Sequence, residues 1–240
     1  MGDGADGSAA ARRIGALVEA GEPDRVLYLG DVYESGTRAE FNDNFAGVYG
    51  SLLRRIAPTP GNHDWPNHDN GYDPYWSSVT GAATPPWYAF RIAGWQILSL
   101  NSEAPHGQGS PQVRWLRRRV RKPGSCRLAF WHRPRFSAGS HGDQADVAPL
   151  WKVLVGRAVI VLSGHDHNLQ RFRPLAGITQ IVAGAGGRSH YELDSSDQRL
   201  AFADDDLDGA ARLTLRPGTA RIDLVAADGK VLDSSTVACR

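Results

Sequence analysis

Apolar residues fall along the chain in two rhythms, and the rhythm sorts the elements. Residues 8–20 carry Ile14, Leu17 and Val18 as one helical stripe, with Ser8 placed to cap it and Gly21 to end it. Residues 41–53 predict a second helix with Phe45 and Val48 inward. Residues 110–121 predict a third, with Val113, Leu116 and Val120 at helical spacing, and residues 144–155 a fourth. Elsewhere the apolar residues run without interruption. Residues 25–29, 127–131 and 158–162 each form such a block, and continuous Val, Ile and Leu mark strands buried on both faces. Residues 87–92 and 95–100 flank Ala93-Gly94 and predict a hairpin. Further strands are expected at 178–182, 211–215 and 221–225. Helices and strands alternate first, then strands dominate, which predicts an α/β fold of sheets packed between helices. The 240 residues suit one domain, 1–240, without internal repeat or linker.

Composition narrows the classes of function. Hydrophobic residues make 41 % and charged residues 22 % of the chain, as in an ordinary globular protein. A net charge of +1 gives no indication of nucleic-acid binding. The dense basic run Arg114, Arg117, Arg118, Arg119, Arg121 and Lys122 reads as a solvated helix face, with a partner-binding patch as the alternative. Cys126 and Cys239 form no CxxC pair, which excludes a zinc-thiolate site. They either join as one disulfide, in an oxidising compartment, or stay as two buried thiols. No stretch of 18 apolar residues predicts a membrane span. The first seven residues have neither a basic nor an apolar signal region. Localisation is therefore expected to be secreted or periplasmic if the natural N-terminus lies upstream, and cytoplasmic otherwise.

The chemistry is concentrated where the apolar blocks stop. Leu29 leads to Gly30-Asp31, Trp131 to His132, and Leu162 to Gly164-His165-Asp166-His167. A fourth segment leads into Gly61-Asn62-His63-Asp64. Functional groups of open α/β sheets gather beyond the carboxyl ends of their strands, so four such endings predict one converging site. Each motif alone has a plain structural reading as a turn or a buried histidine. Their order and spacing decide: Gly-Asp, Gly-Asn-His-Asp, a lone His, then Gly-His-Asp-His.

That set resembles the calcineurin-like metallophosphoesterases, including the purple acid phosphatase branch, from Asp3 to about Tyr191. The segments 59–64, 131–136 and 182–188 strengthen the resemblance. It implies a four-layer αββα sandwich of two mixed β-sheets flanked by helices. It also implies two metal ions (Fe, Mn or Zn) held by Asp3, Asp31, Asn62, His132, His165 and His167, with Asp31 bridging. His63 would be the catalytic general acid rather than a ligand, oriented by Asp64 or another carboxylate. The implied reaction is hydrolysis of a small-molecule phosphate mono- or diester by a metal-bridging hydroxide, which two cations about 3.5–4 Å apart make available near neutral pH.

Three departures set further expectations. Only Met1 and Gly2 precede Asp3, so the family's first core strand is missing or truncated, and Ala5 stands where Gly or His is usual. Asp6 is the fallback ligand. Glu34 occupies the place of the tyrosine that colours purple acid phosphatases and Tyr33 comes one position early, which predicts a colourless centre. The damaged first motif also supports an alternative: a phosphate- or nucleotide-binding module with impaired catalysis. An amide-cleaving zinc hydrolase lacks HExxH and GxSxG. Trp65, His68, Tyr72, His106, Arg188 and His190 are candidates for substrate contact, while Tyr75, Trp76, Trp87 and Trp95 belong to the core.

Overall fold

Alternate residues of the central strands face two different cores, and this period of two builds the layers. The computed structural model describes residues 1–122 and 126–239. Its elements are α1 (Ala9–Ala20), β1 (Val26–Tyr28), α2 (Arg38–Glu40), α3 (Ala46–Tyr49), β2 (Ile56–Pro58), α4 (Tyr72–Thr80), β3 (Tyr88–Ile92) and β4 (Trp95–Ser99). They continue with α5 (Pro111–Arg119), β5 (Arg127–Phe130), α6 (Ala148–Leu154), β6 (Ile160–Ser163), β7 (Leu169–Phe172), β8 (Thr179–Ala183), β9 (Leu200–Asp204), β10 (Gly209–Arg216), β11 (Thr219–Ala226) and β12 (Val231–Ala238). Ser8 caps α1 and Ser110 caps α5, each accepting an N–H of the first turn. Residues 38–55 form one helical stretch that widens to a π-turn at Phe41–Phe45 and ends as a 3-10 turn.

Seven strands form a mixed sheet in the order β3-β4-β5-β6-β8-β7-β9, with β4, β5, β6 and β8 parallel. On one face Leu98, Ala129, Trp131 and Val161 pack under α5 and α6. On the other, Ile97, Phe130, Leu162 and Ile181 meet Leu29, Ala57, Ile222 and Leu224. The second sheet layer consists of the antiparallel β10-β11-β12 and the parallel pair β1-β2. Its outer side carries Ile14 of α1 and an aromatic cluster of Phe41, Phe45, Tyr49, Tyr75 and Trp76. Helix, sheet, sheet, helix is the expected order. Among the described residues no helix is long and apolar enough to cross a membrane.

The segment before Asp3 is held from two sides. Met1 bonds β1 on the edge turned away from β2, through Leu27 O at 3.3 Å and Leu29 N at 3.0 Å. Gly2 N reaches Ala183 O at 2.9 Å, which ties the segment to β8. Beside Met1 an apolar groove of about 420 Å³, lined by Leu27, Ile97, Leu128, Ala211 and Leu213, separates β1 from β10. Met1 and Gly2 thus carry Asp3 into position between β1 and β8.

Cys126 and Cys239 are joined as a disulfide across 113 residues of sequence, with Cα atoms 5.2 Å apart. It ties β12 to the start of β5. Closing so long a loop constrains the unfolded chain, and native disulfides of this kind contribute about 2–5 kcal/mol. Replacing both cysteines by serine is expected to lower the urea midpoint and to raise the m-value, because the unfolded chain without the cross-link is less compact.

Candidate metal centre

Backbone strain marks the site before any side chain does. Asp3, Asp31 and His165 all have positive φ, at 60°, 68° and 73°. Each such non-glycine residue costs about 1–3 kcal/mol and persists where its surroundings fix it. Gly30 and Gly61 permit the turn around Asp31. A Cβ on Gly30 would lie 2.7 Å from both Gly61 N and His132 Nδ1, and one on Gly61 2.1 Å from Asp31 Oδ1.

The strand ends converge as the spacing predicted. His132 Nε2 lies 3.0 Å from Asn62 Oδ1, 3.3 Å from Asp31 Oδ2 and 3.2 Å from His165 Nδ1. His167 Nε2 lies 3.7 Å from Asp3 Oδ1. Asp3 Oδ2 accepts the His165 amide at 2.9 Å, so Asp3 holds its place in the cluster and the fallback, Asp6, is not needed. Asp6 instead accepts from Ser8 N at the start of α1.

Two main-chain carbonyls decide what the imidazoles offer. His132 Nδ1 sits 2.8 Å from Leu29 O, and His167 Nδ1 2.7 Å from Ser189 O. A carbonyl only accepts, so each Nδ1 carries the proton and each Nε2 presents a lone pair. The His132 lone pair faces carboxylate and amide oxygens, and that of His167 faces the Tyr33 hydroxyl at 2.9 Å and Asp3 at 3.7 Å, in a site where Asp3 and His132 are fully buried. Acceptors buried face to face need a cation or a proton between them.

In the metal-free protein, protons substitute for that cation. Burial disfavours charge on His132, but Asp31 and Asp3 outweigh it and push the imidazole up to about 10. Asp31 is buried too, yet the same partnership holds its carboxyl below the usual range. Burial raises the Asp3 carboxyl to about 8 and depresses His167 to about 4. His165 is lowered by burial and by His132, and its Nε2 has no partner.

Tyr33 lies nearer the cluster than its place in the motif suggests. Although one position early, its hydroxyl stands 3.1 Å from Asp3 Oδ1, 2.9 Å from His167 Nε2 and 3.4 Å from Asp31 Oδ2. The phenol therefore lies beside the candidate ligand atoms, with burial and the two carboxylates holding its pKa far above the ordinary value, while Glu34 turns outward to an ion pair with Arg188. The role suggested for Asp64 is also replaced. Its buried carboxylate accepts from the amides of Asp31, Val32 and Gly61 and so shapes the loop. His63 is oriented by a carbonyl, Glu34 O, 2.6 Å from its Nδ1.

Of the candidate substrate contacts, Arg188 borders the site, with its guanidinium 4.5 Å from the Tyr33 ring. His68 stacks on Trp65, Tyr72 is in the aromatic core, and His106 and His190 pair with Asp146 and Asp208. Two neighbours had no motif to announce them. His141 lies 4.0 Å from the His165 ring and bonds Asp166 at 2.9 Å, and Tyr191 stacks on His167 at 4.1 Å. A histidine in a Gly-Ser loop after a ligand-bearing strand was the only available signal.

The profile described as Calcineurin-like phosphoesterase matches residues 7–169. The chain belongs to that family. It is 26 % identical to purple acid phosphatase 21 of Arabidopsis thaliana, over 68 % of this chain and 44 % of that protein. It therefore spans less than half of that relative's length. It is also 26 % identical to tartrate-resistant acid phosphatase type 5 of Oryctolagus cuniculus, over 92 % of this chain and 81 % of that one. GAP50, the anchor in the inner membrane complex of Plasmodium, shares the fold with a TM-score of 0.83 at 15 % identity, over 100 % of this chain and 87 % of that one.

A metallophosphoesterase implies metal ions, and the residues present fit them. Ligand atoms of Asp3, Asp31 and His132 lie within 4.8 Å of one another. Mixed imidazole and carboxylate donors suit Fe, Mn, Zn or Co better than Ca or Mg. Ligands must be deprotonated to bind, and at pH 7 both His132 and Asp3 lie below their raised values of about 10 and 8. Loading with Zn or Mn at pH 7 is expected to release more than one proton per chain, read by calorimetry in buffers of different ionisation enthalpy.

Proposed function

We propose that the chain hydrolyses phosphate mono- or diesters at a centre of two metal ions. The observation that carries this reading is the pair of Nε2 lone pairs, on His132 and His167, each fixed by a carbonyl and aimed at a different carboxylate. Asn62, His132 and His165 would hold one ion, with His167, Asp3 and Tyr33 holding the other and Asp31 between them. Such ions supply charge neutralisation of the phosphoryl oxygens and a nucleophile near neutral pH.

The chain's own residues do the rest. The carbonyl of Glu34 occupies Nδ1 of His63, so the proton that His63 exchanges is on Nε2. Its amide donates to Asp31 Oδ1 at 3.0 Å, which fixes His63 relative to the bridging carboxylate. From there Nε2–H gives its proton to the departing alkoxide. Arg188 also packs on the Tyr33 ring and supplies a cation at the edge of the site. The rival reading, a binding module with impaired catalysis, drew on the damaged first motif. The seat of Asp3 between Tyr33 and the His165 amide argues against it.

Replacing His63 by Ala is expected to lower turnover of p-nitrophenyl phosphate by roughly 10²–10⁴-fold with metal content intact. Loss of metal together with activity would refute the proton-donor role.

A further inference from the structure

Charge is segregated in this chain far more than its net value of +1 implies. Residues 105–157 carry nine Arg and two Lys against only Asp143 and Asp146, so the remainder of the chain is net −8. The positive part includes α5 and α6, whose inner faces cover the large sheet. Between these helices lies a groove of about 450 Å³, lined by Arg117, Arg121, Lys152 and Arg157 over Val120, Pro149 and Val153. None of the four cations forms an ion pair with a described residue. Arg133, Arg135, Arg171, Arg188 and Arg199, by contrast, are all paired.

The groove shares no residue with the metal centre. Arg121 and Arg157 precede β5 and β6, while His132 and His165 follow them. A four-residue strand of roughly 13 Å therefore separates the cationic end from the ligands. Four unpaired like charges around one concavity repel one another, and the helices gain nothing from that arrangement unless an anion enters. Three of the four are arginines, whose planar fork matches phosphate oxygens bidentately. The lining holds no aromatic ring, so it offers no stacking platform for bases. It is a shallow, open groove with an apolar floor of Val120, Pro149 and Val153.

We propose that this groove binds a linear polyphosphate: an unbranched run of phosphates, read by charge and without a base or lipid. The site is independent of the reaction at the metal centre. The probe is inorganic polyphosphate of defined length, titrated into the full chain by fluorescence anisotropy or calorimetry. With about four phosphates neutralised, a single-stranded polyanion gives a logarithmic salt slope near −3, which means roughly 50-fold weaker binding at 200 mM than at 50 mM salt. Arg117→Met with Arg121→Met is expected to weaken binding by at least tenfold and to reduce the slope by about 1.4. Lys152→Met with Arg157→Met is a second, separate variant. All four side chains lie on the surface, so both proteins should keep the thermal midpoint of the parent. The assignment is overturned if polyphosphate does not bind, if binding ignores salt, or if neither double variant weakens it. It is equally overturned if these variants abolish tighter binding to an oligothymidylate or to phosphatidylglycerol vesicles instead.

Discussion

Everything in this chain is arranged around a site that cannot stand empty of positive charge. Two buried carboxylates and three imidazoles converge with neighbouring polar atoms 2.9–3.7 Å apart, and two of the imidazoles are turned by carbonyls so that lone pairs point inward. In water such groups would be solvated separately. Buried together they need either protons or metal ions: Asp31 and Asp3 push His132 up to about 10, and burial raises Asp3 to about 8. The left-handed backbone at Asp3, Asp31 and His165 is what this convergence costs locally. Rigid sheets on either side fix it.

That dependence explains why the parallel strands are so fully buried. β4, β5, β6 and β8 have no exposed face, and each of the middle two delivers a ligand at its carboxyl end. Any slip of register would move His132 or His165 by one residue and reverse its side chain. Asp64 locks the loop on the other side by taking three main-chain amides on one buried carboxylate. The catalytic machinery and the fold are in this sense one constraint.

Much of this was legible in the sequence, for identifiable reasons. Continuous apolar runs reveal strands buried on both faces, and the ligands announce themselves because they follow those runs directly. What was not legible depended on tertiary context. α4 begins Tyr-Asp-Pro-Tyr-Trp and has little helical propensity; it is held by rings such as Phe41 and Phe45 packing on Tyr75 and Trp76 at 4.8 and 5.3 Å. β7 and β9 are short and mixed in polarity, and they form because each completes the other's ladder. The nearness of Tyr33 to Asp3 and His167 depends on how the loop turns after Asp31, which counting positions does not show. His141 and Tyr191 belong to no spacing pattern and reach the site only through the chain's path.

The most direct test of the central claim is elemental analysis of the purified chain after incubation with Mn, Fe or Zn and removal of free metal. Two ions per chain, falling to about one when Asp3 is replaced by Asn, is the outcome required by a complete donor set on both sides of Asp31. One ion or none in the parent protein would contradict the account, because the lone pairs of His132 and His167 would then face their carboxylates for some other reason.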